Sequence, residues 1–139
     1  QVDAELLICG TILHDIGKLK ELDTDNLGTA EYTIPGTLFG HSTLGIEMID
    51  KAYESWKKEI HKDLPEERVM LLKHMIASHH GKLEYGAITV PSIPEAMILH
   101  ELDMIDSRIY QFEQVRKDLE PGSMSDKILG LDTRVYRPL

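Results

Sequence analysis

Ala4-Glu5-Leu6-Leu7-Ile8-Cys9-Gly10-Thr11-Ile12-Leu13-His14-Asp15-Ile16-Gly17-Lys18, residues 4–18, is the stretch whose reading decides the fold. Residues 2–13 are apolar nearly all round, the pattern of a helix placed in the middle of a bundle. His14 and Asp15 are adjacent, so on a helix they point about 100° apart and one face does not present both. At a helix end they can still converge on one small object. Imidazole nitrogen and carboxylate oxygen together suit a divalent metal ion. Gly17 is expected to let the backbone leave the helix, and Lys18 places a cation nearby. The pair gains weight from residues further along the chain: His41, the doublet His79-His80, and Asp103.

Working outward, residues 19–40 lose the helical period. Asp25-Asn26-Leu27-Gly28 reads as a turn and Glu31-Tyr32-Thr33-Ile34 alternates like a strand, so a long connection holding a small hairpin is expected. His41-Ser42 opens the next helix, with Ile49, Ala52 or Tyr53, Trp56 and Ile60 on one face. A histidine at a helix N-terminus is discouraged from protonating by the helix dipole, which leaves a neutral imidazole available as a ligand. Asp63, Pro65 and Glu66 start another helix whose stripe is Val69, Leu72 and Ile76. His79 and His80 stand at its far end, and Gly81 stops it. Ser92-Ile93-Pro94-Glu95 is a capping box, predicting a helix from about 93 to 118. Ile98, Leu102, Ile105, Ile109 and Phe112 form its main apolar stripe. Asp103 lies on a narrower face with Ala96 and Leu99, and periodicity alone reads it as a solvated carboxylate. Residues 119–139 are expected to be a tail that docks through Tyr136 and Leu139.

At 139 residues the chain is expected to form one domain with a real core. No apolar run approaches the roughly 20 residues that span a bilayer. The single cysteine, Cys9, excludes an internal disulfide and fits a reducing cytoplasm; inside the apolar run it reads as a small buried hydrophobe. The formal net charge of −9 weighs against a surface that holds nucleic acid by non-specific phosphate attraction. It does not exclude a nucleic-acid enzyme, because bound divalent cations add positive charge that the count omits. The fold expected is an all-α helical bundle with a small β-hairpin insertion after the His-Asp motif.

The order His-Asp, His, His-His, Asp on separate helices resembles the HD-domain metal-dependent phosphohydrolases from residue 4 to about 110. The stretches that carry the likeness are HDIGK at 14–18, GH at 40–41, SHHGK at 78–82 and LDMID at 102–106. ELDTDNLGTAEYT, IPGTLFGH, SHHGKLEYGA and the closing GLDTRVYRP are similar to the HD domain of YhaM-type 3′-to-5′ exoribonucleases. That resemblance implies a metal-activated hydroxide that hydrolyses phosphodiesters from the 3′ end of single-stranded RNA, or DNA. It makes His14, Asp15, His41, His79, His80 and Asp103 the metal ligands, with Asp15 bridging two ions. Lys18 would offset phosphoryl charge beside the catalytic Asp15. Tyr32 and Tyr85 become candidate platforms for bases, with loop packing as the alternative. Manganese(II) is the expected ion, with magnesium, iron(II), cobalt(II), nickel(II) or zinc(II) as alternatives.

Such domains normally carry a further metal-binding histidine on an upstream helix and follow an OB-fold. The OB-fold is expected in the parent protein; the upstream histidine is absent from these residues, and either it precedes them in the parent or this protein has lost it. Other readings are a nucleotidase, a cyclic-dinucleotide phosphodiesterase (whose Gly-Tyr-Pro motif is absent here), or a non-catalytic nucleotide-binding module.

Overall fold

The computed structural model describes residues 1–60 and 64–139. The elements are α1 (Ala4–Leu13), α2 (Lys18–Glu21), β1 (Leu22–Thr24), β2 (Ala30–Tyr32), α3 (Ile34–Ile60), α4 (Glu66–Ser78), α5 (Pro94–Lys117), β3 (Met124–Ile128) and β4 (Thr133–Tyr136). A 3₁₀ turn at Leu83–Tyr85 sits between α4 and α5. The expected helical architecture with a hairpin after the His-Asp motif is what forms. The chain divides into two compact units, residues 1–100 and 101–139.

In the first unit, α1 starts because the Asp3 carboxylate accepts the Leu6 amide at 3.0 Å, an N-cap that satisfies an otherwise unpaired helix donor. Arg68 on α4 grips the same carboxylate at 2.7 and 3.0 Å. Leu6, Met75, Ala96 and Leu99 form the core, with Leu7, Leu71, Leu72 and Ile93 packed against it. The core thus draws on one side of α1 only. Ile8 and Ile12 are exposed, and so is Cys9, contrary to the expectation of a helix buried all round and a buried thiol. Apolar composition says that a helix could be covered on every side; it does not say which neighbours cover it.

The connection after the His-Asp motif is more ordered than its composition suggests. β1 and β2 pair antiparallel in the register Leu22↔Tyr32, Asp23↔Glu31 and Thr24↔Ala30. Asp25 closes the turn by accepting the Leu27 and Thr29 amides. Ile34, expected to end the strand, instead begins α3, and Gly40 (φ 69°, ψ 161°) breaks that element into two helical segments. His41 opens the second segment, as its sequence position predicts. Burial in α3 concentrates at Ser42, Leu44 and Gly45, next to His41; of the expected face, Ile49, Tyr53 (rather than Ala52) and Trp56 are half-buried and Ile60 is exposed.

α4 begins at Glu66, and the capping role read for Asp63 lies outside the described residues. Its last turn carries the burial, with Met75, Ile76, Ala77 and Ser78 enclosed. α5 starts at Pro94 as expected, but the capping box does not form. The Glu95 carboxylate accepts the Asp3 amide at 2.6 Å, and the Ser92 amide donates to His74 Nε2 at 2.9 Å. The stripe that dominates the α5 sequence is also not its packed side. Leu102, Ile105, Ile109 and Phe112 are exposed, while Ala96 and Leu99 of the narrower face are enclosed. Small residues permit close helix approach, which counts for more than the number of large apolar ones.

In the second unit, β3 and β4 form a hairpin where the sequence pattern predicts only a tail, with Lys127 opposite Arg134 and Ile128 opposite Thr133. Val135 and Ser125 are its buried residues, and the Val135 amide donates to Ser125 Oγ at 2.8 Å. Tyr136 and Leu139, expected to dock, are exposed. Arg137 donates to the carbonyls of Arg116, Lys117 and Leu119, closing the C-terminal end of α5.

Candidate metal centre

His14 caps α1 in helical conformation, and Gly17 comes next in the motif with φ −62°. Gly17 is therefore not needed to leave the helix, the role its position predicts. It is needed for close approach, because a Cβ there would collide with the His41 carbonyl oxygen and the Gly45 nitrogen. That approach of two backbones sets the His-Asp motif against the start of the second segment of α3.

The side chains then meet. Asp15 Oδ1 lies 3.4 Å from His41 Nε2 and 3.8 Å from His79 Nε2, while Asp15 Oδ2 lies 3.4 Å from His14 Nε2. His41 Nε2 and His79 Nε2 are 3.3 Å apart. The ring of His80 lies 4.1 Å from that of His79 and 5.0 Å from that of His41, between centroids. His41, His79 and His80 each offer a ligand nitrogen within 4.8 Å of the others.

Every one of these imidazoles has its Nδ1 against an oxygen. His14 Nδ1 faces the Thr11 carbonyl at 2.9 Å, His79 Nδ1 the Ile76 carbonyl at 2.7 Å and His80 Nδ1 the Tyr85 carbonyl at 3.0 Å. His41 Nδ1 faces the Glu21 carboxylate at 3.2 Å. A carbonyl only accepts, so the ring nitrogen beside it carries a proton, and in the neutral ring Nε2 keeps its lone pair. Two such lone pairs 3.3 Å apart repel each other unless a cation lies between them. Nitrogen ligands at roughly 2.1 Å from a tetrahedral ion would be about 3.4 Å apart, so the spacing fits a metal. The donor set of imidazole with carboxylate suits a borderline divalent ion.

Electrostatics agree with ligand chemistry. Burial opposes ionisation of Asp15, but hydrogen bonds and charge from His14, when its ring carries both protons, and from Lys18 outweigh it and hold the carboxyl well below its usual range. His79 is buried, which lowers its pKa to about 4; the Ile76 carbonyl opposes this in part, and His80, His14 and His41 add to the lowering. A deprotonated carboxylate and a neutral imidazole are the forms that bind metal. Lys18 Nζ lies 2.7 Å from Asp15 Oδ2, so its ammonium is held at the rim of the cluster.

The remaining expected residues are placed as follows. Asp103 lies on α5 within residues 101–139 and is partly buried. Tyr32 is exposed on β2. The Tyr85 ring is also exposed, with Lys82 Nζ 5.2 Å from its centroid, while its carbonyl holds His80.

Sequence reasoning missed two residues. Glu21 is buried and takes both the amide and the ring of His41. His100, read as an ordinary helix residue, donates from Nδ1 to the His79 carbonyl at 2.9 Å. Neither has a local signal, because each partner is about 20 residues away in the chain.

Fold and site define an α-helical protein with a gathered histidine–aspartate centre suited to a divalent metal. The chain belongs to the HD domain family, whose family model matches residues 1–108. It is similar to the 3′-5′ exoribonuclease YhaM of Listeria welshimeri serovar 6b, with 38% identity over 135 residues, 97% of this chain and 41% of the relative. The protein of the same name from Bacillus licheniformis is 37% identical over 139 residues, covering 99% of this chain and 42% of the relative. That of Bacillus subtilis strain 168 is 35% identical over 138 residues, covering 99% and 41%. The chain thus spans about two fifths of the length of these curated relatives. No solved structure gives a significant match. Among the described residues, no helix is long and apolar enough to cross a membrane.

Proposed function

We propose that this chain is the hydrolytic domain of a cytoplasmic, metal-dependent 3′-to-5′ exoribonuclease acting on single-stranded RNA, with manganese(II) as its ion. The observation that carries the reading is the gathering of His14, His41 and His79 around Asp15, with His80 against His41 and His79, each ring held at Nδ1 so that in its neutral form Nε2 keeps the lone pair. His41, His79 and His80 would hold one ion, and His14 and Asp15 would contribute to a second, with Asp15 shared. Divalent cations bound there supply Lewis-acid stabilisation of phosphoryl charge and a nucleophile from water at neutral pH.

The chain's own residues set the rest. The rigid Nδ1 contacts fix the four rings before any ligand arrives, so little reorganisation opposes binding. Lys18 is near enough to exchange its contact with Asp15 for an incoming phosphoryl oxygen, countering charge that grows during hydrolysis. The formal charge of −9 favours a division of labour in which strand affinity comes from an OB-fold of the parent protein.

The test is an assay of the parent protein on an end-labelled oligoribonucleotide, a mononucleotide and a cyclic dinucleotide, with metal analysis alongside. Stepwise shortening from the 3′ end that needs manganese is expected. Asp15→Ala should abolish hydrolysis and lower bound metal together; Lys18→Ala should keep the metal and lose turnover. Asp103→Ala, measured in parallel, decides the role that the family pattern implies for that carboxylate. Hydrolysis of the mononucleotide or cyclic dinucleotide in preference to the strand would overturn the exoribonuclease reading.

A further inference from the structure

We propose that Glu21 is a positioning residue for the metal centre: its carboxylate fixes the tautomer and direction of His41 and so sets that ring's strength as a ligand. The proposal rests on the metal reading of the site and deepens it. Glu21 Oε1 accepts the His41 amide at 3.0 Å and lies 3.2 Å from His41 Nδ1, with Oε2 also 3.2 Å from that nitrogen. Thr11, Ile76 and Tyr85 hold the other three rings through neutral carbonyls, whereas His41 faces an acidic side chain. A carboxylate behind an imidazole fixes the Nδ1–H form and makes Nε2 a stronger donor than a carbonyl does.

The fold keeps Glu21 in place from both sides. Its amide donates to the Gly17 carbonyl at 2.9 Å, and its own carbonyl accepts the Thr33 amide at 2.9 Å. Gly36 packs so closely that a Cβ would collide with the Glu21 backbone. With 7% of its surface exposed, Glu21 has little room for another rotamer. The contact to the His41 amide falls just after the Gly40 break, where the second helical segment has unpaired donors. One carboxylate therefore starts the helix that carries His41 and orients the ring it carries.

Glu21→Gln separates these duties. The amide oxygen can still accept the His41 amide, so the helix start is kept. The charge is lost, and the side-chain NH₂ beside Nδ1 favours the opposite tautomer. Two measurements test this. Long-range ¹H–¹⁵N correlation on the metal-free protein should show His41 as the Nδ1–H form, and a mixture or the Nε2–H form in Glu21→Gln. Cobalt(II) titration should show affinity falling about 10–100-fold in the variant, with the unfolding midpoint little changed.

A wild-type His41 in the Nε2–H form overturns the proposal whether or not the variant folds. So does a variant that matches wild type in both tautomer and cobalt affinity, because a merely structural glutamate would move only the unfolding midpoint. If wild type binds no cobalt, the metal reading fails by itself, and the tautomer measurement still decides what Glu21 does to His41.

Discussion

Gly17→Ala tests how the site is assembled. Gly17 has ordinary helical angles (φ −62°, ψ −21°), so by local conformation alanine should be welcome there. Reduced freedom of the unfolded chain would by itself stabilise by about 0.4–1 kcal/mol. Against this, the new Cβ meets the His41 carbonyl and the Gly45 nitrogen, which are backbone atoms and cannot swing aside. Overpacking of this kind costs about 1–3 kcal/mol, and rigid neighbours put it at the upper end. A net loss of about 2 kcal/mol is expected, measured as a lower urea midpoint with an unchanged slope. Because the group pushed away is the His41 carbonyl, cobalt(II) affinity should fall as well.

Gly28→Ala is the control. Its φ of 81° makes alanine strained, but nothing lies within 4 Å, so it should cost about 1–2 kcal/mol and leave cobalt affinity alone. A Gly17→Ala protein as stable as wild type, with unchanged metal affinity, would refute the close-approach account.

Met75→Ala removes a side chain with no exposed surface from the core and should cost about 2–5 kcal/mol in urea unfolding. For the metal-free protein in chelator, the sign of the His79 contribution comes from its pKa, which is lowered from 6.5 to about 4. The unfolded chain binds the extra proton first, so this contribution is whole above pH 6.5 and lost as pH falls through 4. The full drop amounts to about 3 kcal/mol at roughly 1.36 kcal/mol per pH unit. Denaturant melts between pH 7 and 4 read it, and a slope unchanged in His79→Gln would contradict it. Cys9 is exposed, so a thiol reagent should label the native protein without denaturant, and Cys9→Ser should change stability by less than about 0.5 kcal/mol. Protection of that thiol until unfolding would show that α1 is covered on that side.

By itself the sequence determined α1, the helix that His41 opens, α4 and α5, the turn at Asp25–Gly28, and the placement of His14, Asp15, His41, His79 and His80 at element ends; it did not foresee α2 or the helical segment that Ile34 begins. Those are local matters: helix ends, turns and apolar periods are written in residues a few positions apart. The tertiary structure decided which apolar surfaces are covered. Ile8 and Ile12 look as buried in the pattern as Leu6, and Leu102 looks more buried than Ala96, yet only Leu6 and Ala96 are enclosed. Periodicity reports that a face can be buried, whereas the partner's shape and distance choose the face. The same holds for Gly17, where a nonlocal backbone approach rather than a turn requires glycine. Glu21 shows the limit most clearly. Its neighbours in the chain mark it as an acid beside a hairpin, and only folding brings it to His41, twenty residues on, where it can fix a proton on one nitrogen and leave the other to ligate.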